Sequence, residues 1–224
     1  MKYVVVLILI FSFIRIHSQN DKSELITLEK EVLKKAKMIG DPSVASASMY
    51  RLIVLEGKNS TYKDSLAYIY FSARKYAPCF MITTEVLERD PKHVEMLEMK
   101  GISLEALGAL EKSEEVYEQL LPLTNNNFHG YTLAKLQYSL KKYEEAYITI
   151  KNTEKLNDSG KYMVTYSINQ NHTQQVELLA AIAYMKGLIE VELDQKTSAK
   201  VSFEKALKIQ SDFVFAKESI EELQ

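Results

Sequence analysis

The residue types that most often carry chemistry are sparse in this chain. Its histidines are His17, His93, His129 and His172, and its one cysteine is Cys79. None of them stands in a His-Glu-x-x-His arrangement or beside a carboxylate at ligand spacing, so no zinc or other metal site is expected. His93-Val94-Glu95 has the His-x-Glu order of a zinc deaminase, but such a site also needs Pro-Cys-x-x-Cys, and Pro78-Cys79 stands alone and upstream. A nucleophilic thiol requires an open, electropositive setting. Cys79 falls instead where two helices should touch, and is read as a small buried hydrophobe. The seven glycines are scattered, with neither a phosphate-cradling loop nor a Gly-x-Ser-x-Gly elbow. We therefore expect no catalytic residue, no cofactor and no enzyme.

Composition narrows the remaining classes. The chain has 224 residues, 46% hydrophobic and 26% charged, which suits a folded protein with a sizeable core. Lys and Arg total 28 against 30 for Asp and Glu, a net charge of −2, so no basic surplus points to nucleic acid. Seven Gly and four Pro are too few for an all-β protein with frequent turns. A single Cys allows no intramolecular disulfide.

The N-terminus reads as a signal peptide. Lys2 precedes an apolar run from Tyr3 to Ile14 broken only by Ser12, and the exit is polar with a small residue at Ser18. That run would extend about 18 Å as a helix, short of the ~30 Å hydrocarbon core. Residues 1–19 are expected to be removed, with cleavage after Ser18 or Gln19. Losing Lys2 and Arg15 moves the net charge to −4. No later stretch is long enough to span a bilayer, so no membrane insertion is expected after cleavage. Asn59, Asn157 and Asn171 begin Asn-x-Ser/Thr sequons, which matter only in a eukaryotic secretory pathway.

The rest of the chain is periodic. Ala45, Cys79, Ser113, Ala146 and Ala199 are small residues spaced by 34, 34, 33 and 53 positions. Twelve residues before each stand Leu33, Ala67, Gly101, Ala134 and Gly187, small in all but the first. Small side chains recurring in this way mark close helix contacts, and divide the chain into units 26–59, 60–93, 94–126, 127–160 and 180–213. Local signals agree with helices. Asp21 and Glu24 could form a capping box, after which Leu25, Leu28, Val32, Ala36 and Ile39 share one face. Gly40 should end that helix, and Asp41-Pro42 should cap and begin the next. Pro78 suits the first turn of another. Residues 214–224 carry Phe215, Ile220 and Leu223 against Lys217, Glu218, Glu221 and Glu222, the pattern of a terminal helix with one wet face.

The long spacing before the last unit leaves an insertion at 161–179. In it Tyr162, Val164, Tyr166 and Ile168 alternate with Met163, Thr165 and Ser167, and Asn169-Gln170-Asn171-His172 follows as a turn. A β-hairpin is predicted, either packed against the helices or offered to a partner.

This pattern resembles the tetratricopeptide repeat family, whose 34-residue helix–turn–helix unit asks for small residues at positions 8 and 20 and a large one at 24. Position 24 holds Met49, Thr83, Tyr117, Ile150 and Phe203, and the usual late Pro survives once, in Asp90-Pro91. The resemblance implies an all-α fold, a right-handed α-α superhelix of about five helix pairs, here with the hairpin and a C-terminal capping helix. It also implies that the first helix of each pair lines a concave groove through positions 2, 5, 9 and 12. Carried onto this sequence, the partner-binding groove comprises Tyr68, Phe71, Glu98, Glu105, Phe128, Tyr131, Lys135, Tyr138, Tyr184 and Leu188. The family's clamp for acidic chaperone tails needs Lys and Asn where this chain has Asp64, Glu98 and Tyr131, so a basic or neutral ligand is the better expectation. The function expected is a non-catalytic scaffold that binds an extended or helical segment of another protein in its groove. The alternative is a structural subunit of an envelope or secretion assembly, working through the hairpin and convex faces. Either would be exported, periplasmic or secreted, in a bacterium, and homo-oligomers are compatible with both.

Overall fold

A computed structural model describes residues 2–156, 160 and 162–223, with backbone alone for residues 2–20. Asn157 and Asp158, and Lys161 at the start of the insertion, lie outside the described residues. The chain divides into two compact units, residues 1–91 and 92–224.

The first unit holds α1 (Lys2–Ile39), α2 (Pro42–Glu56), α3 (Tyr62–Ser72) and α4 (Tyr76–Arg89). Helix α1 runs without a break through Asp21 and Glu24, so the capping box expected there does not form. The apolar run and the amphipathic segment, both helix-compatible, simply join. Its end is as expected: Gly40 adopts φ +73°, and the Asp41 carboxylate accepts hydrogen bonds from the Ser43 and Val44 amides while Pro42 opens α2. Leu33, Ala36, Ala45, Met49 and Leu52 form the core of this first pair.

The second unit holds α5 (Val94–Ala106), α6 (Leu110–Thr124), α7 (Asn127–Ser139), α8 (Tyr143–Thr153), β1 (Met163–Asn169), β2 (His172–Glu177), α9 (Leu178–Glu192), α10 (Lys196–Ile209) and α11 (Val214–Glu222). The all-α fold of helix pairs, interrupted by one hairpin and closed by a final helix, is the class expected from the periodicity. On α11, Ala216 is buried while Lys217, Glu218, Glu221 and Glu222 are exposed, giving that helix one wet face.

Close helix contacts sit at the small residues. Ser113 Oγ donates to the Gly101 carbonyl at 2.9 Å, which links α6 to α5 through positions 20 and 8. A Cβ on Gly101 would lie 2.7 Å from the Tyr117 ring, and one on Gly187 would overlap the ring of Phe203. Position 8 is thus small because the large residue at position 24 lies directly over it. Met49, Thr83, Tyr117, Ile150 and Phe203 are all buried, as is Cys79.

The turn inside each pair shows the same period in its backbone. Gly40, Arg74, Gly108, Lys141 and Asp194 all have left-handed φ, between +53° and +76°, at the repeat spacing of 34, 34, 33 and 53 residues. Each turn needs one such residue to reverse the chain within a few positions. Only two of the five are glycine, so residue identity hides the pattern that φ makes plain.

Candidate functional site

The second unit brings its first helices, α5, α7 and α9, side by side. On α7, the Asn126 carboxamide accepts a hydrogen bond from the Phe128 amide at 2.7 Å and starts the helix. Helical spacing then puts Phe128, Tyr131, Lys135 and Tyr138 along one stripe. Lys135 Nζ meets Glu105 Oε1 of α5 at 2.6 Å, and His129 Nε2 lies 3.7 Å from Glu98 Oε1 on the same helix. Toward α9, the Tyr138 hydroxyl donates to Glu192 Oε1 at 3.3 Å. Burial and the neighbouring Glu192 carboxylate push the Tyr138 phenol up to about 12, so it stays a neutral donor.

The hairpin divides this stripe. Strands β1 and β2 pair antiparallel, with Val164 opposite Val176 and Tyr166 opposite Gln174. Side chains alternate exposed and half-buried along β1, so Val164, Tyr166 and Ile168 turn inward, as does the buried Val176 of β2. The Tyr162 ring stacks on Phe128 at 4.8 Å between centroids. Tyr166 packs among Tyr184, Phe213 and Phe215, and its hydroxyl lies 3.1 Å from that of Tyr131. Burial raises the Tyr131, Tyr166 and Tyr184 phenols above their ordinary range, and holds them un-ionised. The hairpin is therefore seated on the helices and forms part of the core.

The expected groove residues consequently fall into three groups. Tyr131 and Tyr184 are only 5% and 8% exposed and lie under hairpin or C-terminal rings, with the half-buried Phe128 beneath Tyr162. Glu98, Glu105, Lys135, Tyr138 and Leu188 are half-buried, and of these Glu105, Lys135 and Tyr138 are joined across helices by the contacts above. Tyr68 and Phe71 sit on α3 of the first unit, Tyr68 47% exposed and Phe71 half-buried. Sequence reasoning missed Tyr162 and Tyr166 as the occupants of the stripe. Their alternation marked a one-sided strand but carried no information on which surface that side would cover. Glu192 was also missed, since it is tied to the stripe only through contacts with the distant Tyr138 and Tyr143.

The arrangement offers aromatic rings, the Lys135–Glu105 ion pair and carboxylates, groups that can bury area, hydrogen-bond and pair with charge. Among the described residues, no group of three or more His, Cys, Asp and Glu side chains is placed to hold a metal ion. No helix among them is long and apolar enough to cross a membrane.

Comparison with known proteins agrees with this architecture. Residues 180–213, the α9–α10 pair, match the sequence pattern of the tetratricopeptide repeat. No curated protein matches the chain by sequence. Among solved structures, YrrB, described as a tetratricopeptide-repeat protein with an unusual peptide-binding site, superposes with a TM-score of 0.66 at 14% identity, covering 84% of this chain and 88% of that one. A crystal structure of MamA gives a TM-score of 0.64 at 14% identity over 84% of this chain and 93% of its own. MamA from Desulfovibrio magneticus RS-1 gives 0.60 at 14% identity over 85% and 97%. Residues 180–213 thus match a tetratricopeptide repeat in sequence, and the chain's helix pairs share the fold of these solved structures.

Proposed function

We propose that this chain is a non-catalytic interaction module that binds a segment of another protein on the α5–α7–α9 face of its second unit. The observation that carries the reading is the part of that face left outside the hairpin. There Glu98, Glu105, Lys135, Tyr138 and Leu188 combine a phenol ring, apolar surface and carboxylates within reach of one ligand. A stiff phenol ring buries much area at little entropic cost, and the carboxylates set orientation. That YrrB, of like fold, has a peptide-binding site supports the general mode. The Lys2 start and apolar run to Ile14 support export of the chain after removal of residues 1–19.

The test is affinity capture from the native cell envelope with the full chain as bait, beside a Tyr138→Ala, Lys135→Glu double variant. A protein bound directly by the first bait, with affinity reduced at least about tenfold in the second at unchanged helicity, is the expected result. Equal affinity for both baits would sink the groove reading. It would favour a structural subunit whose contacts run through the hairpin's outer face, where Met163 is 48% exposed among uncharged Thr165 and Ser167.

A further inference from the structure

The two edges of the hairpin are treated differently. On β2, the Glu177 amide donates to Gln210 Oε1 at 2.9 Å, and the Gln175 carbonyl accepts from Gln210 Nε2 at 3.0 Å. The backbone groups of Gln175 and Glu177 therefore point away from β1, and one glutamine side chain covers the Gln175 carbonyl and the Glu177 amide. In an antiparallel ladder, residues directly opposite each other either both point their polar groups inward or both point them outward. Thr165 is opposite Gln175 and Met163 is opposite Glu177, so their amides and carbonyls turn outward on the far edge of β1, and Ser167 follows by parity. The sheet has two strands only, and among the described residues no backbone group pairs with that edge. Strand edges left open in this way are usually guarded by charge or proline. Met163-Val164-Thr165-Tyr166-Ser167-Ile168 has neither.

The direction of the open edge is set by what holds the hairpin. Gln174 Nε2 of β2 donates to the Asp212 carbonyl and Gln174 Oε1 accepts from the Val214 amide, which fixes β2 beside the α10–α11 turn. Strand β1 lies over α7 through Tyr162 on Phe128 and Tyr166 on Tyr131. Beyond α7 on the side away from α9 is α5, joined to it by the Lys135–Glu105 and His129–Glu98 contacts. A strand added about 4.8 Å outside β1 would thus run over α7 toward α5. Its inward side chains would approach Glu95 and Glu98, whose side chains are 60% and 37% exposed.

We propose that the open edge of β1 takes up an extended, basic segment of a partner protein as a third strand, through the outward backbone groups of Met163, Thr165 and Ser167 with Glu95 and Glu98 meeting its Lys or Arg side chains. This rests on the reading of the second unit as an interaction module and specifies how that module would hold its ligand. Main-chain pairing supplies affinity, and the acidic residues of α5 supply selection for charge.

The probe is the blocked octapeptide acetyl-(Thr-Lys)4-amide, titrated into the full chain and followed by amide hydrogen exchange. In the free protein the Val164 and Tyr166 amides, which pair with β2, exchange slowly, and those of Met163, Thr165 and Ser167 exchange quickly. Saturating peptide slows the second group about tenfold or more, and acetyl-(Thr-Glu)4-amide does not. Thr165→Pro removes an outward N–H, together with the exposed Thr165 Oγ1 that accepts from Gln175 Nε2, but no backbone bond to β2. It weakens binding of the lysine peptide about tenfold, with Val164 and Tyr166 still protected, whereas Thr165→Ala, which loses the hydroxyl alone, binds as the parent does. Glu95→Gln with Glu98→Gln weakens it several-fold and leaves the exchange of the free protein unchanged. If the lysine peptide binds without slowing the three edge amides, strand addition is refuted while groove capture stands. Failure of the lysine peptide to bind, or equal binding of the glutamate peptide, overturns the proposal, and the Tyr138→Ala, Lys135→Glu capture decides the groove reading separately.

Discussion

Replacing Tyr166 with Phe tests whether the hairpin is held by a specific polar contact or by ring packing alone. The two hydroxyls of Tyr131 and Tyr166 lie 3.1 Å apart and both are neutral, so their net contribution should be about 1 kcal/mol. The single changes cost more than that share. Tyr166→Phe keeps the ring among Tyr184, Phe213 and Phe215 but strands the buried Tyr131 hydroxyl, at about 1–3 kcal/mol. Tyr131→Phe leaves the hydroxyl of the half-buried Tyr166, and should cost toward the lower end of that range, about 1 kcal/mol. Removing both hydroxyls leaves no orphan, so the double variant should lose less than the sum of the singles, by about 1–2 kcal/mol. Urea denaturation followed by near-ultraviolet circular dichroism reads this directly, because the chain has no Trp and tyrosine dominates the signal. Costs that add to within about 0.3 kcal/mol would refute the hydrogen bond as a source of hairpin seating.

Two further predictions concern the backbone and pH. Lys141 sits at φ +60° in the α7–α8 turn, a conformation costing a side-chain-bearing residue about 1–2 kcal/mol that glycine avoids. After the extra unfolded-state freedom of glycine is deducted, Lys141→Gly should stabilise by about 0.5–1 kcal/mol, seen as a rise of roughly 2 °C in Tm. The Tyr117, Tyr131, Tyr166 and Tyr184 phenols are raised by burial, so the folded state keeps protons that the unfolded chain releases near pH 10. Their contribution is complete below pH 10 and is lost as pH rises beyond it, at about 1.4 kcal/mol per pH unit for each ring. Parallel titration of phenolate absorbance and helicity should show these rings ionising only as the helices melt. Ionisation near pH 10 with helicity intact would contradict their burial.

Much of the fold was legible because its determinants are local and periodic. Small residues at Ala67, Gly101, Ala134 and Gly187, and again at Cys79, Ser113, Ala146 and Ala199, must recur wherever two helix backbones approach, so side-chain size alone reveals the pairs. Gly40-Asp41-Pro42 and the alternation from Tyr162 to Ile168 are equally local signals, and both became the predicted elements. The Asp21–Glu24 cap failed for the complementary reason. A cap operates only where the helix begins, and nothing in those two residues reports that the preceding apolar segment is helical as well.

The candidate site depended on contacts between residues distant in sequence. Helical spacing put Phe128, Tyr131, Lys135 and Tyr138 on one stripe, but the stripe's occupant is a hairpin that starts more than twenty residues later. Only tertiary packing decides that Tyr131 and Tyr184 are covered while Glu98, Lys135 and Tyr138 stay reachable, because burial belongs to the neighbour rather than to the residue. The open edge of β1 is likewise set by Gln210, which covers the opposite edge from another helix pair. Sequence by itself determined the repeat, the helix pairs and the strand pattern, since each follows from side-chain size and polarity along a few turns. Which faces remain available for a partner was decided by the fold, since hydrogen bonds and ring contacts between distant segments consume some surfaces and leave others.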